Sequence, residues 1–312
     1  MNRISHRWTL LIFLAFTLTM GCSIPEDPSE EKLPFTYWGH RYLLTSDVAY
    51  GTDPEQQLDI YRQGQRLGEL EWWRNDSSSH PTLIFIHGGG WVGGKKETDI
   101  TSITPYLQHG WNVVNLEYRK GENTAPAAVE DVLCALEWIA DHAEEYNLDM
   151  DRVVLSGGSA GGHLSLIAGF LNTKEKGPYC HAGDRMNIRA VVNWFGITDI
   201  EKIETYLRSI KPDWNYAGMW IDGTEKVDSI SKMYSPVHHI SEGTPPVLTL
   251  HGELDSVVLF DQATELHRLL DSAGIPNRLL SDPMGNHGGF SNEQYQAFYE
   301  AIFEFLGPLT EA

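Results

Sequence analysis

The sequence predicts one α/β domain in which a mostly parallel central sheet is covered by helices on both faces. Apolar runs alternate with segments of helical spacing along most of the chain, which is typical of strands joined by helical crossovers. The run from Thr82 to Ile86 is unbroken, as expected of a strand that is buried on both faces. Between Val153 and Ser165 an apolar run ends in glycines and continues into helix formers, which predicts a strand, a sharp turn and a helix.

The other elements follow in order from the same two patterns. Strands are predicted at 42–50, 57–61, 82–86, 111–118, 152–156, 188–195, 246–250 and 278–281. Helices are predicted at 125–140, directly after Ser159, at 261–273 and at 293–306, and the polar residues 64–80 are expected to form a loop. Residues 197–243 interrupt the alternation, so we expect a small insertion over the carboxyl edge of the sheet, where ligands bind in such folds. The alternative is an excursion that lines no site.

Composition limits the classes of partner. The chain has 312 residues and a formal net charge of -20. The length suits one large domain at 41–312 once an N-terminal segment is removed. An acidic chain repels nucleic acid and anionic membrane surfaces, so we expect neither as a partner, although the charge also aids solubility. The sequence has no metal-ligand spacing such as C-x-x-C or H-E-x-x-H and no phosphate loop, so it predicts no metal and no cofactor.

Residues 1–22 are predicted to be a lipoprotein-type signal peptide. Basic residues precede an apolar stretch that is too short to span a bilayer comfortably, and this stretch ends at Gly21 and Cys22. A small residue directly before a cysteine is similar to a bacterial lipobox, with Thr19 where leucine is usual, and it predicts lipidation at Cys22. Residues 23–40 are expected to form an acidic tether. The alternative is an ordinary secretory signal.

The predicted anchor implies an exported protein at the bacterial cell envelope that contacts the membrane only through lipid. Ser23 follows the cysteine where an inner-membrane retention signal would place aspartate, so the outer membrane is expected if the host has one. Without lipidation the protein would be periplasmic or secreted. Cys134 and Cys180 remain in the mature chain, and the sequence leaves open whether they form a disulfide or stay as buried thiols.

Gly157, Ser159 and Gly161 form a G-x-S-x-G pattern at the predicted turn from strand to helix. A sharp turn of small residues lifts the serine hydroxyl clear of the sheet, and the following helix directs its N–H groups and positive dipole end at the same point. Ser159 is therefore the predicted nucleophile. A glycine-rich turn with an incidental serine is the alternative, and the further motifs that follow in order argue against it.

A glycine-rich loop follows the strand at 82–86 directly, as His87-Gly88-Gly89-Gly90-Trp91. Consecutive glycines leave N–H groups unshielded, which suits a loop that donates hydrogen bonds to a developing oxyanion. Gly89 and Gly90 are the predicted donors, together with Ala160 directly after the nucleophile. His87 is expected to hold the loop by hydrogen bonding.

Two later loops supply a candidate acid and a candidate base. Asp255 follows one predicted strand, and His287 lies in a glycine-bearing loop after the last one. The order Ser159, Asp255, His287 is that of nucleophile, acid and base in one class of serine hydrolase, where the acid fixes the tautomer of the histidine. Glu253 and Asp261 are the rival acids. The rival histidines, which fit this order less well, are His163, His238 and His239.

Together these motifs resemble the serine esterases of the α/β-hydrolase superfamily. HGGGW at 87–91, EYRKGENTAPAAVEDV at 117–132, GGSAGG at 157–162, HGELD at 251–255 and NHGGF at 286–290 are similar to the branch of hormone-sensitive-lipase-like and bacterial acetylxylan or feruloyl esterases, over roughly residues 45–308. The resemblance implies a serine carboxylesterase that acts on small acyl esters through an acyl-enzyme, with acetyl or feruloyl esters of plant polysaccharide among the expected substrates. The hormone-sensitive-lipase group usually has a long N-terminal cap, for which only residues 23–45 are expected to be available here.

Two other functions stay open on the sequence alone. An arylformamidase-like amide hydrolase would share the HGG-x-W loop and the triad, and an inactive, surface-tethered binding protein would have no need of a complete triad. Trp91, Trp194 and Trp220 are candidates for lining the substrate pocket, because aromatic faces suit sugar or phenolic groups, although aromatic residues are more often core. Acyl length, alcohol group and oligomeric state are not defined by the sequence.

Overall fold

The structure, a computed structural model, describes residues 42–65, 74–75, 79–172, 180–221 and 224–311. The predicted signal peptide at 1–22, its Cys22 and the tether at 23–40 lie outside these residues, as does most of the predicted loop at 64–80.

A single sheet organises the described chain. Its strands are β1 Tyr42–Ala49, β2 Gln57–Gln65, β3 Arg74–Asn75, β4 Pro81–Ile86, β5 Asn112–Leu116, β6 Asp149–Gly158, β7 Ile188–Trp194, β8 Val247–Gly252 and β9 Asn277–Asp282. They are ordered β1-β2-β5-β4-β6-β7-β8-β9, with β3 paired to β2. Each successive pair in the series β5-β4-β6-β7-β8-β9 is parallel. Strand β2 is antiparallel to both of its neighbours in this order, β1 and β5.

Helices lie on both faces of the sheet, which confirms the predicted fold class. They are α1 Ile100–Gln108, α2 Ala127–Asp141, α3 Ala143–Tyr146, α4 Ala160–Asn172, α5 Ile200–Ile210, α6 Tyr216–Ile221, α7 Val227–Tyr234, α8 Asp261–Ser272 and α9 Asn292–Thr310. The strands and helices predicted outside residues 64–80 are all present, with ends that differ by a few residues.

Strand β4 shows why its sequence is apolar without interruption. Leu83 and Phe85 belong to the core that includes α1 and α9, whereas Ile84 and Ile86 belong to the core that includes α2 and α4. Successive side chains of a strand point to opposite faces, so a strand covered on both faces needs apolar residues at every position.

Parallel pairing brings the ends of four strands to one edge of the sheet. Ile86 of β4 is in register with Gly157 of β6, and Gly158 of β6 is in register with Trp194 of β7. Trp194 is in turn in register with Leu250 of β8. The loops that follow β4, β6, β7 and β8 therefore meet at the carboxyl edge, where the candidate site lies.

Helix α1 was not predicted from the sequence. Ile100, Ile103 and Leu107 have helical spacing and Asp99 precedes them, but Pro105 in the interior argues against a helix on sequence alone. Its buried residues Ile103, Tyr106 and Leu107 nevertheless join the core on the α9 face. Tertiary packing, rather than local propensity, stabilises this helix.

Residues 197–243 form the predicted insertion between β7 and β8, and it includes α5, α6 and α7. The N–H groups of Asn123 and Ala125 donate to the carbonyl oxygens of Met219 and Trp220, at 2.8 and 3.0 Å. The Tyr216 hydroxyl donates to the carbonyl oxygen of Val257 at 3.2 Å. These partners lie in loops beyond the carboxyl ends of β5 and β8, so the described part of the insertion packs against the loops at this edge of the sheet.

Cys134 of α2 and Cys180 form a disulfide, with their Cα atoms 4.7 Å apart. This settles the alternative that the sequence left open, in favour of the bridge. Among the described helices, none is long and apolar enough to cross a membrane.

Candidate active site

Ser159 occupies the turn between β6 and α4 that the G-x-S-x-G pattern predicts. Its backbone is left-handed, with φ at 56°, and its N–H donates to the carbonyl oxygen of Trp194 at 2.9 Å. A Cβ at position 161 would overlap the carbonyl oxygens of Ile86 and His87, so Gly161 is needed for α4 to start against the end of β4. A non-glycine residue held at positive φ indicates strain that the surrounding structure maintains, often at a functional site.

His87 holds the glycine-rich loop, as expected. It is fully buried, it stacks on Tyr118, and its Nε2 donates to Glu117 Oε1 at 2.8 Å. Its Nδ1 lies 2.6 Å from the carbonyl oxygen of Gly88. Burial raises the pKa of the Glu117 carboxyl, but hydrogen bonds from His87 and Lys120 outweigh burial and lower that pKa to about 2. The carboxylate is therefore an ionised anchor beneath the loop.

Two of the candidate oxyanion donors, Gly89 and Gly90, lie in a tight turn, and the third, Ala160, directly follows Ser159. Gly89 has φ at 122°, and its carbonyl oxygen accepts from the N–H groups of Val92 and Gly93 at 3.2 and 3.0 Å. Gly90 packs closely on Tyr216, since a Cβ at position 90 would lie 3.0 Å from the Cβ of Tyr216. Ala160 is the first residue of α4, so its N–H belongs to the unpaired first turn of that helix.

Asp255 and His287, which are 32 residues apart in the chain, are brought into direct contact. Nδ1 of His287 donates to Asp255 Oδ2 at 2.7 Å, and the His287 side chain keeps 20% of its surface exposed. The two loops are also joined through their backbones, since the N–H of Leu254 donates to the carbonyl oxygen of Gly285 at 2.9 Å. The hydrogen bond fixes the imidazole with its proton on Nδ1, which leaves Nε2 as an acceptor.

The environment of Asp255 keeps its carboxyl ionised. The residue is 3% exposed, and Oδ1 accepts from the N–H groups of Val257 and Val258 at 2.8 and 2.9 Å. Burial alone would raise the pKa of Asp255, but hydrogen bonds from His251, His287 and the backbone outweigh it and hold that pKa well below its usual range. A buried carboxylate that stays charged can stabilise an imidazolium.

The rival acids and bases lie elsewhere. Glu253 accepts from the hydroxyl of Ser281, and Asp261 begins α8 and faces a separate cleft. His163 is fully buried, with Nδ1 accepting from Trp91 and Nε2 donating to a backbone carbonyl, and burial lowers its pKa to about 4. His239 bonds to the carbonyl oxygen of Met233, within the insertion.

A cavity of about 290 Å³ opens beside Ser159. Ser159, Gly89 and Trp194 are among the residues that line it. Trp91 and Trp220 were predicted to line the pocket, and this is wrong: both are fully buried and stack on each other with ring centres 4.6 Å apart. They belong to the core on the α2 and α4 face, behind the glycine-rich loop.

The lining residues that the sequence analysis missed include Asp99, Phe195, Tyr295 and Tyr299. Tyr295 and Tyr299 are four apart on α9, so helical spacing places them on one face, but the pattern does not say what that face meets. Phe195 directly follows β7 at φ 40°, and its ring lies 4.7 Å from that of His287. The Oδ2 atom of Asp99 accepts from the N–H of Gly88 at 3.3 Å.

Within the described ranges, no group of three or more histidine, cysteine, aspartate or glutamate side chains is arranged to hold a metal ion.

Comparison with known proteins places this chain in a family. The BD-FAE family model matches residues 71–270, which is more than half of the sequence. The chain belongs to the BD-FAE family. Its fold is that of the α/β-hydrolases, since a structure titled as a truncated carbohydrate esterase from gut microbiota superposes with a TM-score of 0.69 at 24% identity, covering 87% of this chain and 97% of that one.

Two curated relatives of this BD-FAE protein come from Mycobacterium tuberculosis. Esterase LipQ is 27% identical over 292 residues, which cover 88% of this chain and 65% of LipQ. LipM, named a probable carboxylic ester hydrolase, is 32% identical over 230 residues, which cover 71% of this chain and 50% of LipM. This BD-FAE chain thus spans about half to two thirds of the length of the curated relatives that it matches.

Proposed function

We propose that the protein is a serine carboxylic-ester hydrolase with Ser159 as nucleophile, His287 as general base and Asp255 as the acid that orients the histidine. The observation that carries the proposal is the 2.7 Å hydrogen bond from His287 to the buried, ionised Asp255, at the sheet edge where Ser159 sits on its strained turn. The names of the relatives, which are esterases or carboxylic ester hydrolases, support the same activity.

The reaction would proceed in two halves. Nε2 of His287 accepts the proton of Ser159 as its Oγ attacks the ester carbonyl, and the N–H groups of Gly89, Gly90 and Ala160 donate to the developing oxyanion. The tetrahedral intermediate then expels the alcohol, which takes the proton back from His287 and leaves an acyl-serine. Water attacks that ester in the second half, with His287 again as base, and the carboxylic acid is released.

The substrates are proposed to be small acyl esters, including acetyl or feruloyl esters of carbohydrate. The cavity of about 290 Å³ is at the small end for a ligand site, and its aromatic walls suit a sugar ring or a planar acyl group. The name of the structural neighbour, a carbohydrate esterase, supports this class. No described residue specifically favours an amide substrate.

The activity is tested with purified full-length protein on p-nitrophenyl esters, acetylated xylan, methyl ferulate and N-formylkynurenine. Ser159→Ala is expected to lower turnover on the best ester by about 10⁶-fold, as for the nucleophile of a studied protease. Asp255→Asn is expected to lower it by about 10⁴-fold, because the histidine would take the wrong tautomer. The matched control, Glu253→Gln, should stay within about twofold of the wild type, since the Glu253 side chain accepts from Ser281 rather than from a histidine.

The assignment fails if folded Ser159→Ala keeps a tenth of the wild-type turnover. A crippled Glu253→Gln together with an active Asp255→Asn would instead show that the acid is Glu253. Preference for N-formylkynurenine over every ester would replace the ester hydrolase with the amide hydrolase.

We further propose that the mature protein begins at Cys22, carries lipid on that cysteine, and is exported to the bacterial cell envelope. The sequence pattern at residues 1–22 and the acidic tether at 23–40 support it, because acyl chains on a cysteine hold a protein at a membrane without a spanning helix. Mass spectrometry of the native N-terminus decides the question. An unmodified N-terminus elsewhere, or a Cys22→Ala protein that still fractionates with membranes, would contradict the anchor.

A further inference from the structure

A second histidine touches the proposed acid of the triad. His251 lies near the end of β8, and its side chain is fully buried. Its Nε2 lies 2.9 Å from the carbonyl oxygen of Val258 and 3.3 Å from Asp255 Oδ2. Because carbonyl and carboxylate oxygens only accept here, Nε2 carries the proton, which it donates to Val258 with Asp255 Oδ2 close beside it.

The other ring nitrogen of His251 indicates that the imidazole is neutral. Nδ1 is buried, and no described residue of the chain hydrogen-bonds to it. A proton on a buried nitrogen without an acceptor is strongly unfavourable, whereas a bare lone pair is tolerated more readily. His251 is therefore a neutral donor with a fixed tautomer.

His251 closes the turn that carries the acid. Asp255 Oδ1 accepts from the N–H groups of Val257 and Val258, while the carbonyl oxygen of Val258 accepts from His251. The backbone N–H of Val258 is thus bonded to Asp255, and its backbone carbonyl oxygen is bonded to His251. Asp255 Oδ2 then faces two histidine nitrogens, Nδ1 of His287 at 2.7 Å and Nε2 of His251 at 3.3 Å.

We propose that His251 is a positioning residue, which fixes the Asp255 carboxylate toward His287 and shares its negative charge. The inference rests on the proposed function, in which His287 is the base. Without the Nε2–H of His251, Oδ2 would face His287 alone, and its full charge would stabilise the imidazolium of His287 more strongly. The base would then stay protonated to a higher pH, and a rotating carboxylate would orient it less well.

The other titratable groups near this cluster are held by partners of their own. The hydroxyls of Tyr206 on α5 and Tyr216 on α6 donate to the carbonyl oxygens of Ser256 and Val257, and burial raises the pKa of Tyr216 far above neutrality. Glu253 accepts from Ser281. From the α9 side, the Tyr295 hydroxyl comes close to Gly288 in the histidine loop. The ring of Phe195 packs edge-on between His251 and His287.

The test compares pH profiles of kcat/KM for His251→Phe and His251→Gln with the wild type, on the full chain. His251→Phe keeps a ring against Phe195 but has no donor, so we expect kcat to fall about ten- to hundredfold at unchanged KM. The acidic limb of the kcat/KM profile of His251→Phe should lie about one pH unit higher than that of the wild type. The side-chain amide of glutamine can donate where Nε2 does, so His251→Gln should restore kcat to within about threefold and return the limb to its wild-type position.

His267→Phe is the matched control, because His267 is also buried but bonds to Asn277, away from the site. It should lose stability without moving the acidic limb. The inference is overturned if His251→Phe folds and its limb coincides with that of His267→Phe, or if His251→Gln is as impaired as His251→Phe. In either case an inactive Asp255→Asn would leave the proposed triad standing, whereas an active Asp255→Asn would remove the triad itself.

A measurement on the wild type covers the case in which the variants do not fold. In protein labelled with ¹⁵N-histidine, the proton of His251 should be found on Nε2 at the pH of the activity assay, because Nε2 is the nitrogen that faces acceptors. A proton on Nδ1 in place of Nε2 would overturn the inference.

Discussion

Two aromatic clusters flank the candidate site, and they differ in what they can reach. The open cluster consists of Trp194, Phe195, Tyr295 and Tyr299, and all four residues line the cavity beside Ser159. The closed cluster consists of Trp91, His163, Tyr216 and Trp220, which are almost wholly buried behind the glycine-rich loop.

The difference lies in the face of the sheet that each cluster joins. Trp194 belongs to the core on the α1 and α9 face, whereas Trp91, Tyr216 and Trp220 belong to the core on the α2 and α4 face. The insertion completes the second core with Tyr216 and Trp220. Aromatic residues near a nucleophile can thus serve substrate or scaffold, and burial separates the two roles.

The largest effect on stability is expected from a substitution in the closed cluster. Trp220→Ala removes a fully buried indole that stacks on Trp91, so the free energy of unfolding should fall by about 3–5 kcal/mol. Urea unfolding measures the loss, and KM for p-nitrophenyl acetate of the folded protein should stay within about twofold. A stable Trp220→Ala protein with a raised KM would show that this cluster binds substrate.

The second effect also belongs to the closed cluster and depends on pH. The pKa of His163 is about 4 in the folded state against about 6.5 for an ordinary histidine in the unfolded chain, so the unfolded state binds the proton first. The contribution of neutral, buried His163 to the free energy of unfolding should be complete above about pH 6.5. The free energy of unfolding should fall by about 3 kcal/mol as the pH drops toward 4.

His163→Gln is the matched variant for this pH effect, because glutamine can accept from Trp91 and donate to the backbone without titrating. Its free energy of unfolding, measured in urea between pH 4 and 7, should depend less steeply on pH than that of the wild type. Equal slopes for the two proteins would mean that His163 does not contribute to the acid sensitivity.

The smallest effect is expected in the open cluster. Tyr295 is only partly buried, so Tyr295→Ala should change the free energy of unfolding by about 1 kcal/mol or less. KM for methyl ferulate should rise about three- to tenfold if the ring packs against the acyl group, and Tyr295→Phe should restore it. A loss of stability without any change in KM would place Tyr295 with the closed cluster.

The sequence predicts those parts of the site that depend on local chemistry. The turn at Ser159 and the loop at 87–91 need glycines at fixed offsets, and the order of Ser159, Asp255 and His287 follows from loops that succeed strands. The contact of Asp255 with His287 then requires only that β8 and β9 be neighbours, which a parallel sheet provides.

The parts that were missed depend on packing between distant segments. Nothing in the local sequence distinguishes Trp194, which lines the cavity, from Trp220, which does not, because the choice depends on which core each joins. The fixed place of His251 beside Asp255 and the pairing of Cys134 with Cys180 likewise depend on the folded backbone.

The disulfide makes part of the chain into a covalent ring. The segment from Cys134 to Cys180 contains β6, Ser159 and α4, so a single cut by a protease anywhere within it leaves the two pieces joined. Such nicked protein would migrate as one band on a gel without reductant and as two bands with it.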